Sequence, residues 1–297
     1  MPELDRGVPA GTDDADKVRV AHRRLREVLD RHRDGRDGED PDDPLTVQVM
    51  PLVLEIPHDP LPARRAVLEA AATACVAVCL DPRAGEETGE TTGAFAAALM
   101  SWYGARIRKI ARRARNKKWR DVQALPGVTA EVDGARVRAF TPCPVSQTPA
   151  LINRLQIEGT DLVDGSDDSP DGNSGDGSGG SSHGTPSDTS YGTPVIYVDS
   201  SLGMSVGKAA AQVAHGSMLL AAEMGADAAL EWSAAGFPLE VREVRRELFA
   251  GLRARAEAVR QHDVPSGYAA VVQDAGYTEV APGSVTVVAV SGTVVAG

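Results

Sequence analysis

An α/β fold in two parts, joined by a disordered linker, is predicted for this chain on three observations. Strand and helix signals alternate from Pro194 onward; residues 45–162 mix strands and helices in another order; and residues 163–193 hold Gly, Ser, Asp and Pro with almost no apolar side chain. Alternating strands and helices build a layered sheet with right-handed crossovers. A polar run of the linker's composition cannot bury enough surface to order itself. At 297 residues and 42% hydrophobic content there is material for two cores.

Residues 1–44 are expected to be largely disordered. Val18, Ala21, Leu25, Val28 and Leu29 fall on one face of a short amphipathic helix, after which Arg33 to Pro44 is dense in charge and carries no apolar residue. Residues 45–162 read as an α+β domain. It has a strand from Leu45 to Ile56, a helix from Pro62 to Leu80 and a second helix from Thr92 to Lys118. Short strands follow at Val128–Val132, Arg136–Phe140 and Ile152–Ile157, with turns at Pro126-Gly127 and Asp133-Gly134. Cys75 and Cys79 stand four apart among Ala and Val, the setting of buried thiols rather than of a zinc or redox pair, and Cys143 has no assigned role.

The linker, residues 163–193, spans roughly 30 Å root-mean-square as a random coil, so the parts it joins need not pack rigidly. Residues 194–297 then give a strand at Val195–Val198, a helix over about Val206–Met224, a strand near Pro238–Val241 and a helix over Arg245–Gln261. Strands at Tyr268–Val272 and Val285–Val290 complete a unit large enough for one small core.

No apolar run approaches the roughly 18 to 20 residues of a membrane helix, and the polar N-terminus is unlike a secretory signal, so a cytoplasmic protein without a membrane partner is expected. The net charge of −11 argues against indiscriminate phosphate binding. Its distribution is uneven, however: acid gathers in Asp34–Asp43 and Asp161–Asp188, while residues 106–120 are strongly basic. Read as a helix over Tyr103–Arg120, that segment puts Ile107, Ile110, Ala111 and Ala114 on one stripe, with Trp119 closing it. Arg106, Arg108, Lys109, Arg112, Arg113, Arg115, Lys117, Lys118 and Arg120 cover the rest. Solvated helix faces usually mix signs and this one has no acid, so these residues are expected to bind RNA.

Two segments carry the chemistry, Gly203–His215 and Gln273–Thr286, each following a strand and so placed where open α/β sheets bind ligands. Ser205 is the expected N-cap of the helix, with Gly207 and Lys208 in its first turn. An ammonium there opposes the helix dipole, which suits an anion or a developing oxyanion beside it. A nucleotide phosphate loop does not fit. It needs four residues between its glycines and Ser or Thr after the lysine; here three stand between Gly203 and Gly207, and Ala209 follows Lys208. Lys208, Gln212 and His215 form one polar line on an otherwise apolar helix. His215 either buttresses that helix or takes part directly, and Gln212 is read alike. In the second segment Asp274, Gly276 and Thr278 form a loop, and the Pro282-Gly283 turn returns Thr286 beside Asp274. The alternative is an Asx turn in which Asp274 caps its own backbone. A carboxylate, an amine and two hydroxyls suffice to hydrolyse an activated ester: the carboxylate orients water or takes its proton, and the others stabilise the oxyanion or the leaving alcohol.

These segments, Gly-Lys-x-Ala-Ala-Gln-x-x-His at 207–215 and Asp-Ala-Gly-x-Thr-x-x-x-Pro-Gly-Ser-x-Thr at 274–286, resemble the type 2 peptidyl-tRNA hydrolases, over residues 193–291. The resemblance implies a four-stranded mixed sheet flanked by helices, often dimeric, that cleaves the ester between peptide and tRNA with no metal and no cofactor. It assigns catalysis to Lys208, Asp274, Thr278 and Thr286, with Gly207, Gln212 and His215 in support. The implied partners are peptidyl-tRNA and, through dimerisation, a second copy of the chain. Where members of that family carry an arginine and a further lysine, this chain has Asp199 and Val206, and it stops at Gly297, short of their C-terminal extension. Those departures are expected to weaken tRNA affinity more than the reacting set. Residues 45–162 resemble N-terminal segments attached to some bacterial members, and no site is carried over to them. The competing expectation is a noncatalytic RNA-binding or ribosome-associated protein that retains the hydrolase fold.

Overall fold

The computed structural model describes residues 12–33, 38–40, 42–86, 93–157, 162, 192–262, 267–274 and 279–292. Nearly all of the expected linker lies outside these residues. Helix α1 (Thr12–Arg33) comes first, then an N-terminal half of β1 (Gln48–Glu55), α2 (Arg64–Cys79), α3 (Ala94–Tyr103), β2 (Lys109–Ala114), α4 (Asn116–Val122), β3 (Gly127–Val132), β4 (Ala135–Phe140), β5 (Cys143–Pro144) and α5 (Ala150–Asn153). The C-terminal half has β6 (Val195–Asp199), α6 (Val206–Glu223), α7 (Ala226–Ala234), β7 (Glu240–Val244), α8 (Arg246–His262), β8 (Gly267–Gln273) and β9 (Val285–Gly292).

Each half holds one mixed sheet, ordered β2-β1-β4-β3 with β5 beside β1 in the first, and β7-β6-β9-β8 in the second. The pairs β1/β2 and β6/β7 are parallel and all others antiparallel. The mixed α/β class and the four-stranded C-terminal sheet are as expected. Successive strand residues point to opposite faces, so Met50, Leu52 and Leu54 of β1 and Ile196 and Val198 of β6 face a shared interior. Val53 turns outward onto Trp119 and Val122 of α4, and Val195 and Tyr197 onto Phe249, Leu252 and Ala256 of α8.

The shared interior is built on α2 and α6. Both are apolar nearly all round, a pattern that suits helices buried on every side, and their many Ala and Gly positions let them approach closely. Ser217 Oγ donates to the Ala72 carbonyl at 2.8 Å, and Arg64 at the head of α2 donates to the Met204 carbonyl, just ahead of α6, at 3.0 Å. Contacts at both the heads and the middles mean that the two helices run parallel. Each returns antiparallel to its own first strand, so the carboxyl ends of β1, β2, β6 and β7 open on one side of the molecule. Buried residues from both halves merge into one cluster, so the two parts share one interior although a linker of this length would not oblige them to pack. A further tie is buried Glu69 of α2, whose Oε1 accepts the Val241 amide of β7 at 3.0 Å while Arg65 donates to both of its oxygens, at 2.9 and 3.0 Å. Burial is the larger influence and holds the Glu69 carboxyl above its ordinary range.

Three expectations are corrected. The N-terminal segment is more ordered than expected: the amphipathic helix is present but spans 22 residues, Thr12–Arg33, with Val18, Ala21 and Leu25 buried in the shared interior and His22 Nε2 bonded to the Ala221 carbonyl at 3.0 Å. The side chains of Val28 and Leu29 lie outside those described. Residues 38–40 are also placed: Gly38 N donates to the Gly104 carbonyl at 2.7 Å, and Glu39 pairs with Arg108. The long basic helix is instead α3, which stops at Tyr103, then β2 and then short α4. The helix propensity of Arg and Lys is outweighed by tertiary pairing: β1 offers β2 six consecutive pairings, from Met50 with Lys109 to Glu55 with Ala114. Ala111 and Ala114, expected on one stripe, accordingly serve opposite faces of the sheet. Finally, Ile152 lies in α5 rather than a strand, and Gln156 contributes only an isolated bridge to Arg113. Cys75 and Cys79 are buried.

Candidate active site

The site forms where β6 gives way to α6 and β8 gives way to the connection leading to β9. Gly203 takes a left-handed conformation (φ 57°) and turns the chain, and Ser205 caps α6 by accepting the Lys208 amide on Oγ at 3.2 Å. Across the site, Glu279 accepts the Ser205 amide on Oε2 at 2.8 Å and the Ser205 hydroxyl on Oε1 at 2.6 Å. A carboxylate at a helix N-terminus is favoured by the dipole and by the orphan N–H groups there. Glu279 therefore stitches the two segments together, a part that the sequence reading missed although the residue follows Thr278 directly.

Lys208, Gln212 and Asp274 converge. Lys208 Nζ lies 2.5 Å from Asp274 Oδ2, and Gln212 Nε2 donates to that same oxygen at 2.8 Å. The Lys208 and Asp274 side chains are only 10% and 8% exposed, so the pair is largely shielded from water. Thr286, wholly buried, donates its hydroxyl to Gln212 Oε1 at 2.6 Å. A carboxylate can only accept, and the Thr286 proton needs an acceptor, so the amide of Gln212 has one workable orientation between them. The chain Thr286, Gln212, Asp274, Lys208 is thus ordered by donor and acceptor sense along its length. Asp274 is anchored through its backbone as well: its amide donates to the Ser284 carbonyl, and its carbonyl accepts the Gly283 amide, both at 2.8 Å.

These positions bear on several expectations. The anion beside Lys208 is the chain's own Asp274. That carboxylate reaches across to α6, while the amides that an Asx turn would engage lie outside the described residues. Thr286 meets Asp274 through Gln212. Thr278 and Gly276 lie outside the described residues. His215 is half-buried, and its Nδ1 lies 3.0 Å from Lys109 Nζ of β2. Lys109 also sits 4.8 Å from the centre of the Trp102 ring. Burial depresses its ammonium below the ordinary lysine range. This inward turn removes Lys109 from the expected RNA-binding surface.

The other basic residues divide. Arg106 and Arg108 pair with Glu39, Arg112 donates to the Leu155 carbonyl at 3.0 Å, Arg113 to Gln156 Oε1 at 2.6 Å, and Arg115 approaches His58 at 3.3 Å. Lys117, Lys118 and Arg120 on α4 are exposed, Lys117 with Asp121 at 2.6 Å. Among the described residues, no group of three or more His, Cys, Asp or Glu is placed to hold a metal ion, and no helix is long and apolar enough to cross a membrane.

Residues 193–294 match the family model of peptidyl-tRNA hydrolase PTH2. The match begins just before β6 and takes in all of β9, so it covers the C-terminal half, and both motif segments fall inside it. No curated protein matches the chain.

Proposed function

We propose that this protein hydrolyses the ester linking a peptide to the 3′-ribose of tRNA, in the cytoplasm, and that the reaction is carried by the C-terminal half. The observation that carries the reading is the ordered chain from Thr286 through Gln212 and Asp274 to Lys208, within the PTH2 match. Asp274 accepts the proton of a water molecule as that water attacks the ester carbonyl. Lys208 carries three donors, and those not engaged by Asp274 serve the oxyanion that develops on the carbonyl oxygen. Collapse breaks the bond to the ribose 3′-oxygen, which leaves with the proton that Asp274 took up. Gln212 and Thr286 keep the carboxylate in place, and Thr278 is the remaining member of the reacting set.

Substrate grip is the task of the exposed basic residues. Lys117, Lys118 and Arg120 follow the carboxyl end of β2, on the side to which the β6 and β7 ends also open. Positive charge there compensates for Asp199 and Val206 by attracting the tRNA backbone.

The decisive experiment offers N-acetyl-aminoacyl-tRNA to the purified full chain. Release of the N-acetyl amino acid is expected, abolished in Lys208→Ala and Asp274→Ala. Binding of the substrate without release by the native chain overturns the enzymatic reading and leaves a noncatalytic RNA-binding protein.

A further inference from the structure

From β1 to β4 the N-terminal half repeats the C-terminal half element for element: strand, long helix, short helix, parallel edge strand, helix and an antiparallel strand pair. The pairing registers agree. Pro51 pairs with Ile110 as Val195 does with Glu240, and Leu52 pairs with Ala139 as Ile196 does with Ala289. Arg115 and Arg245 each form the single step from edge strand to helix. When α2 and α6 are aligned on their first residues, two half-buried positions on each coincide as well, Thr73 with His215 and Ala77 with Leu219.

In that alignment the reacting set is gone from the N-terminal half. Ala66 stands for Lys208, Ala70 for Gln212 and Thr73 for His215. Asp133 keeps the place of Asp274, directly after the third strand, but its partner is Arg65 at 3.0 Å in a pair with both side chains more than half exposed. Asp133 and Gly134, at φ 46° and 79°, close β3 onto β4 in two residues, where residues 274–284 intervene between β8 and β9. No connection remains to wall a site.

What the N-terminal half has in place of chemistry is a grip on α6. Arg64 is 11% exposed and forks onto Glu243 at 2.8 and 2.9 Å, with Nη2 also donating to the Met204 carbonyl in the loop that sets the Lys208 turn. Lys109 reaches His215, one turn beyond Gln212, and lies 3.7 Å from Met218 Sδ. Neither grip is a relic of the shared fold, since the corresponding places in the C-terminal half are Val206 and Leu239. We propose that the N-terminal half is an emptied second copy of the site-bearing half, kept as its built-in partner, which holds α6 and the loop ahead of it through Arg64 and Lys109.

The test uses full-length Arg64→Ala and Lys109→Met, with Lys109→Arg as the conservative variant and Asp133→Asn as the control on the emptied copy. Amide hydrogen exchange over residues 203–215 is expected to quicken about tenfold in the first two, because their local opening becomes easier. Turnover of N-acetyl-aminoacyl-tRNA, which alone depends on the hydrolase reading, should fall about tenfold in kcat with KM nearly unchanged, because positioning is lost and binding is not. Lys109→Arg should restore most of both, and Asp133→Asn should turn over like the native chain. Unchanged exchange in both Arg64→Ala and Lys109→Met overturns the partner role. Loss of turnover in Asp133→Asn as deep as in Asp274→Ala overturns the emptied copy. If Arg64→Ala does not fold, Lys109→Met carries the test. If the native chain releases nothing, the hydrolase reading fails and hydrogen exchange still decides the partner role.

Discussion

Thr286→Val separates the orienting role of the hydroxyl from its bulk, since valine keeps the shape and removes only the donor. In the native chain the hydroxyl donates to Gln212 Oε1 at 2.6 Å, leaving Gln212 Nε2 to face Asp274 Oδ2 at 2.8 Å. Both Thr286 and Gln212 are buried, at 0% and 4% exposure, so no bulk water replaces the lost donor. Leaving a buried acceptor unsatisfied costs about 1–3 kcal/mol. If the same amount is lost from the transition state, kcat falls by about 5- to 150-fold, since each ~1.4 kcal/mol is a factor of ten. The melting temperature should drop by a few degrees, the shift per kcal/mol being at or below the about 2–4 °C of domains of roughly 150–250 residues. Hydrolysis of N-acetyl-aminoacyl-tRNA and thermal melting read the two effects, and Thr286→Ser should recover both. A Thr286→Val protein with native kcat and native melting would refute the claim that this hydroxyl orients Gln212.

Two further outcomes are expected. Reversing Lys117, Lys118 and Arg120 to glutamate should weaken tRNA binding regardless of its sequence and reduce the dependence of log K on log salt by about 0.7–0.9 for each phosphate no longer neutralised; unchanged affinity and slope would remove α4 from the binding surface. His22, pushed down chiefly by burial, takes up a proton more readily unfolded than folded. Its contribution is therefore intact above the ordinary value of 6.5 and lost as pH falls below it toward the depressed folded value. Denaturation midpoints between about pH 5 and 7.5 should fall with acid more steeply in the native chain than in His22→Leu, and equal slopes would refute this linkage.

Where periodicity and turn signals agreed, the elements were legible. The strands β6, β8 and β9 and the helices α6 and α8 lie within a few residues of expectation, with Ser205 capping as its position before the apolar run implied. Helix α7 was missed because a few residues of Ala-rich sequence after α6 carry little pattern of their own. Around residue 110 the pattern misled outright: Ile107, Ile110, Ala111 and Ala114 fit a helical stripe by spacing, and only the edge of β1, more than fifty residues earlier, makes them a strand. The four-residue step from Lys208 to Gln212 was visible on the helix. That both donors would end on one oxygen of Asp274, 62 and 66 residues away, is tertiary information. So is the approach of Lys109 to His215, which no local signal announces.

Strand β7 is the outer strand of its sheet, and an outer strand exposes peptide groups on which a foreign strand can build. The outward amide of Val241 is occupied by the Glu69 carboxylate, and α2 lies over that border. A strand from another molecule would have to displace a buried acid to pair there. The contact that fastens the halves thus also guards against aggregation, in a protein whose strands are rich in the valine and isoleucine that make such pairing favourable.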